Sequence, residues 1–117
     1  MDGIVKVFQL PQEDPGMFKG YDDSPTVKEY EFEKKYRCIF CGEISYFSLD
    51  HLYAIFNGTT LPNGYHGHNL SVSDIVGIQN DSGEWEYHYC DLQGWKQVQF
   101  ADRYTDPTAI MKFLNNR

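Results

Sequence analysis

The stretch 62–95 constrains the fold more than any other, because its turn signals cut it into strand-length pieces. Pro62-Asn63-Gly64 are turn formers, and the segment Gly67-His68-Asn69-Leu70-Ser71-Val72-Ser73-Asp74 leads from them into an apolar run, Ile75 to Ile78. Asn80-Asp81-Ser82-Gly83 is a second turn. The run from Glu84 to Cys90 then alternates, with Trp85, Tyr87 and Tyr89 set against Glu84, Glu86 and His88. Side chains alternate across a strand, so this run presents one aromatic and one polar face. Asp91-Leu92-Gln93-Gly94 turns the chain again into Trp95 to Phe100. Three strands joined by turns are expected from Leu70 to Phe100.

The flanking sequence adds further elements. Ile4 to Leu10 is rich in β-branched and aromatic residues and is stopped by Pro11, so it reads as a first strand. Residues 11–26 hold three Pro, two Gly and four acidic residues. They read as a loop with room for a short helical turn, anchored by Met17, Phe18 and Tyr21. From Val27 to Glu33 polar and apolar residues alternate, and Tyr36, Cys38 and Phe40 continue the pattern towards Gly42. A strand or hairpin is expected there, with a helix over 28–35 as the alternative. Ser48 can cap a helix whose face is Leu49, Leu52, Tyr53 and Phe56, ending near Asn57-Gly58. Asp106 and Pro107 can open a short C-terminal helix over residues 106–115. The expected architecture is α+β: a curved, mainly antiparallel sheet or partial barrel with a central helix at about 48–57 and a C-terminal one. At 117 residues, with no internal repeat or linker, residues 1–117 read as a single domain.

Charge narrows the function. The formal net charge is −7, and the densest basic stretch, Lys34, Lys35 and Arg37, follows Glu29, Glu31 and Glu33. A nucleic-acid surface needs clustered cations to neutralise phosphates, so direct nucleic-acid binding is not expected. No apolar run reaches the ~20 residues that span a bilayer. The N-terminal residues lack the pattern of a secretory signal, and three Cys do not suit a fully paired disulfide framework. A cytoplasmic bacterial location and no membrane partner are the expectations.

Five stretches together carry a resemblance. They are Val7-Phe8-Gln9-Leu10, Tyr36 through Phe40 to Gly42, Tyr53-Ala54-Ile55-Phe56-Asn57, Pro62 and Tyr65 with Gly67 to Val76, and Tyr87 to Asp91 with Gly94-Trp95. In this order and spacing the chain resembles the YodL-like domain over residues 4–100. Asn69, Cys90 and Trp95 stand where that family usually has Ser, Val and Phe. The family motif residues are Gly67, His68, Leu70, Ser71, Val72, Ser73, Asp74, Asp91 and Gly94, read as structural. The resemblance implies a conjugative or integrative element of Firmicutes, or a phage, as the setting. It brings no molecular activity with it.

The candidate chemistry is thin. Cys38-Ile39-Phe40-Cys41 has the spacing of a zinc knuckle or a redox pair, but no second knuckle follows, and on a regular strand the two thiols would point to opposite faces. His68, Ser71, Ser73 and Asp74 are the residue types of a hydrolytic triad, yet they are near neighbours on one extended segment and no Gly-x-Ser-x-Gly elbow is present. No metal and no cofactor are expected. The leading expectation is a non-enzymatic, acidic protein-binding module. Its candidate contact residues are Glu13, Asp14, Asp22, Asp23, Glu29, Glu31 and Glu33. Its partner would be a protein with a basic groove, such as a restriction or CRISPR effector held inactive by a counter-defence inhibitor. The alternatives are a metal-dependent or hydrolytic enzyme using His66, His68, Asp74 and Asp91, and a structural module of a conjugation assembly.

Overall fold

The computed structural model describes residues 2–102. Five strands form one sheet: β1 (Asp2–Gln9), β2 (Arg37–Ser45), β3 (Ile75–Gln79), β4 (Trp85–Cys90) and β5 (Trp95–Val98). Their order is β2-β1-β3-β4-β5, and every neighbouring pair is antiparallel. One helix, α1 (Leu49–Ile55), lies between β2 and β3 in the chain. The α+β expectation and the three strands expected between Leu70 and Phe100 are therefore present. The sheet stays open, with β2 and β5 as its edges, and does not close into a barrel. The helix expected over residues 106–115 lies outside the described residues.

The sheet is covered on both faces, which explains why β1 is buried continuously from Val5 to Gln9. On one face Val5, Val7, Phe40 and Val76 pack with Leu52 and Phe56 of the α1 region and with Leu70. On the other, Phe8, Ile75, Tyr87 and Tyr89 pack beneath the long β1–β2 connection through Tyr21, Val27, Phe32 and Tyr36. Full burial of side chains of this size contributes about 1.5–3 kcal/mol each. Gly77 makes room on this second face: a Cβ there would stand 2.9 Å from Tyr87 Cε1. Lys6 shares that face and is fully buried. Its Nζ lies 2.7 Å from Asp102 Oδ2 and 4.1 Å from the Trp85 ring centroid, and the Tyr87 hydroxyl donates to the same carboxylate oxygen at 2.7 Å.

Several local expectations need correction. Residues 27–31 form turns, followed by a 3-10 helix at Phe32–Lys35, rather than a strand or hairpin. Glu31 has φ 53°, a left-handed conformation that ends any extended run. The short helical turn expected in the 11–26 loop is the 3-10 helix Tyr21–Asp23. Of the expected anchors, Tyr21 packs on the core, whereas Phe18 is 55% exposed. Leu52 on α1 and Phe56 just after it are buried, but Tyr53 faces outward.

The cysteine geometry also differs. Val7 pairs with Phe40 and Phe8 with Cys38, so Ile39 is an extra residue, a β-bulge in β2. Cys38 stands opposite Phe8 and Cys41 opposite Lys6. Phe8 and Lys6 are two residues apart and share a face, so both cysteines face the same side rather than opposite ones.

Candidate functional site

The segment 67–76 is held by a hub of buried polar groups at the end of β1. Gln9 is 4% exposed, and its amide has two hydrogens to give. The two short contacts use both: Nε2 donates to the His68 carbonyl oxygen at 2.7 Å and to Asp74 Oδ2 at 3.0 Å. Tyr65 Oη donates to the same His68 carbonyl at 2.7 Å. Gly67 lets the chain pass close to this amide, since a Cβ there would stand 2.1 Å from Gln9 Oε1. Asn57, at the end of the α1 region, donates through Nδ2 to the carbonyl oxygens of Tyr53 and Leu70, both at 2.9 Å. The helix end is thereby tied to the motif.

Asp74 is 1% exposed. Its Oδ2 also accepts the Ser71 N–H at 2.8 Å, and the Asp74 N–H returns to the Ser71 carbonyl at 3.1 Å. This is the local side-chain-to-backbone bonding expected of Asp at a strand entry. Burial raises its pKa well above 3.8, while the Ser71 and Gln9 hydrogen bonds pull the other way. Oδ1 has no hydrogen-bond partner among the described residues, so a proton on this carboxyl belongs there. Ser73 adopts φ 86° and is fully buried. Its Oγ accepts the Phe18 N–H at 3.0 Å and its carbonyl accepts the Tyr36 hydroxyl at 2.7 Å. Leu70 fills the helix-side core and Val72 lines a surface cleft near α1. Gly94 has φ 72°, which suits the turn between β4 and β5.

A cavity of about 570 Å3 adjoins the hub, lined by Leu10, Gln12, Asp14, Met17, Phe18 and His68. His68 Nδ1 lies 2.7 Å from the Asn69 carbonyl, which assigns the Nδ1 proton to that bond. Its Nε2 is buried without a hydrogen-bond partner among the described residues, and the ring lies tilted to that of Phe18 with centroids 5.7 Å apart.

The residues of the enzyme alternative differ in their surroundings. His68 and Asp74 both contact Gln9, at 3.3 Å and 3.0 Å. His66 is exposed, and its backbone N–H donates to Ile39 at 3.0 Å. Asp91 lies instead in the β4–β5 turn, where Oδ1 accepts the N–H groups of Tyr21 at 3.1 Å and Leu92 at 2.8 Å. Among the described residues no group of three His, Cys, Asp or Glu is placed to hold a metal ion. Burial pushes the Cys38 and Cys90 thiols each up to about 12, so thiolate is scarce at neutral pH.

The seven acidic candidate contact residues all lie on the connection that covers the second sheet face. Glu13, Asp22, Asp23, Glu29 and Glu31 are exposed, while Asp14 and Glu33 are half-buried. Asp14 Oδ1 accepts the Gly16 N–H at 2.8 Å and the Thr26 hydroxyl, and so braces the loop. Glu33 accepts the Ala101 N–H at 3.0 Å. Glu29 pairs with Lys35 at 2.8 Å, and Glu31 pairs with Lys34. The structural work of Gln9, Asn57, Tyr65 and Asp14 went unassigned in the sequence. The available signal was a polar residue at the end of an apolar run, Gln9 between Phe8 and Leu10.

Comparison with known families matches the YodL-like domain over residues 4–100, a span that contains the whole hub. No curated protein and no solved structure matches the chain.

Proposed function

The chain belongs to the YodL-like domain family, and from that premise we propose that it is a non-enzymatic, acidic protein-binding module. The observation that carries the reading is how the β1–β2 connection is built. Its aromatic and apolar residues, Tyr21, Val27, Phe32 and Tyr36, are turned into the sheet. Its exposed carboxylates, Glu13, Asp22, Asp23, Glu29 and Glu31, are therefore turned outward on one continuous segment. The polar groups at the motif, by contrast, mainly hold one another and the backbone, with Asp74 Oδ1 and His68 Nε2 left without a partner among the described residues. A surface of this sign favours a protein whose own binding groove is basic, because complementary potentials steer association and select partners. We extend the proposal to a mobile-element or phage setting in the bacterial cytoplasm. There the module occupies the nucleic-acid groove of a host defence effector, as a counter-defence inhibitor.

The test is capture of partners on the immobilised protein from a Gram-positive lysate, at low and high salt and with competing duplex DNA. The reading predicts a protein partner released both by salt and by the duplex, since exposed charges are screened beyond ~10 Å at 0.1 M salt. Capture indifferent to both, or no capture, contradicts it.

A further inference from the structure

A second surface, beside the motif and next to α1, joins exposed apolar side chains to unneutralised charge. Tyr53 is 43% and Leu92 66% exposed. With Val72, Cys90 and Trp95 they line a cleft of about 220 Å3 between α1 and the β4–β5 turn. Asp50 and Asp91 belong to the same lining. Asp50 Oδ1 accepts the Trp95 indole N–H at 3.2 Å, which fixes the ring as one wall. Asp91 ties the acidic turn to the opposite lip. Its Oδ1 accepts the Tyr21 N–H, and a Cβ on Gly20 would stand 2.9 Å from Leu92 Cδ1. Asp22 and Asp23 follow directly in the chain.

The charge of this surface is not balanced internally. Lys96 Nζ sits 5.0 Å from the Tyr21 ring centroid, and Lys28 Nζ donates to the Asp22 backbone carbonyl at 2.8 Å. Neither forms an ion pair with Asp22, Asp23, Asp50 or Asp91, and none of these four carboxylates is ion-paired among the described residues. Glu29 and Glu31 differ in this respect, because their lysines already answer them. An exposed apolar cleft rimmed by uncompensated carboxylates fits one kind of occupant, an apolar side chain carried between cations.

We propose that this cleft docks a cationic segment of the partner protein. A side chain of leucine or phenylalanine size enters between Tyr53, Leu92 and Trp95, and flanking lysine or arginine reaches Asp22, Asp23, Asp50 and Asp91. The proposal rests on the acidic-module reading and gives it an address. The apolar anchor supplies the localised affinity, and the carboxylates supply orientation and rate.

The test is an amide NMR titration of the full chain at low salt with a synthetic lysine–leucine peptide. Controls replace its lysines by glutamate or its leucines by serine. Resonances of residues 50–53 and 91–95 are expected to move. Affinity is expected to fall about tenfold or more for the serine peptide and for the Leu92→Ser variant, the loss typical of removing an interface anchor. Leu92 is exposed, so that variant keeps the core intact, and an unchanged spectrum elsewhere confirms it. Binding confined to residues 13–33 and indifferent to Leu92→Ser overturns the cleft and leaves the acidic-module reading standing. Equal binding of the glutamate peptide overturns the charge argument. No binding by any cationic peptide overturns both.

Discussion

Asp74 shows how one side chain sets local structure and a measurable pH response. Its folded pKa lies above the unfolded one because burial disfavours the charged carboxylate. The folded state therefore holds the proton more tightly. Its contribution to stability is fully present below about 3.8 and is lost as pH rises through the higher folded value. Denaturant unfolding across that range, compared with Asp74→Asn, should give a difference that favours wild type at low pH and shrinks as pH rises. A constant difference would remove titration of Asp74 from the account. Gly67 supplies a steric counterpart. Gly67→Ala should cost about 1–3 kcal/mol by displacing the Gln9 amide, checked by the same unfolding measurement. The motif itself was legible in the sequence, since Pro62 to Val76 carries its turn residues in order. Its buried partners were less so. Gln9 reaches Asp74 from 65 positions away in the chain and Tyr36 reaches Ser73 from 37, and no local pattern encodes such contacts.

At the scale of elements, cap and period signals worked where a segment's own chemistry decides its structure. Ser48 Oγ accepts the His51 N–H at 3.0 Å and starts α1. Ser48→Ala should lower stability by about 1 kcal/mol in a chemical-denaturation curve. A value near zero would mean that packing of Leu52 and Phe56 alone holds this short helix. The strands β3, β4 and β5 follow their turn punctuation in the same way. The segment 27–35 alternates in sequence but not in burial: Val27 and Phe32 pack inward five positions apart, while Tyr30 between them is 92% exposed. Val27, Phe32 and Tyr36 point inward because the connection lies across Phe8 and Tyr89, not because it joins the ladder. The bulge at Ile39 is a similar case. Its extra residue reverses the side-chain parity between Cys38 and Cys41, and parity counted along the sequence cannot register it.

Across the whole molecule, the sheet separates two kinds of demand. Its helix side is closed by α1 and the motif. Its other side is closed by the β1–β2 connection, which buries rings and exposes carboxylates. Among the described residues no helix is long and apolar enough to cross a membrane. The acidic balance was legible from composition alone. Which carboxylates remain available was not, because the pairing of Glu29, Glu31, Asp14 and Glu33 arises only from the folded loop. We propose that the outward charge of this connection, rather than a catalytic pocket, does the protein's work. The most direct measurement is partner capture by Glu13→Gln/Asp22→Asn/Asp23→Asn beside wild type, with both melting curves recorded. These side chains are exposed, so the account predicts melting within a few degrees of wild type and capture reduced at least about tenfold at low salt. Undiminished capture by the folded triple variant would contradict it.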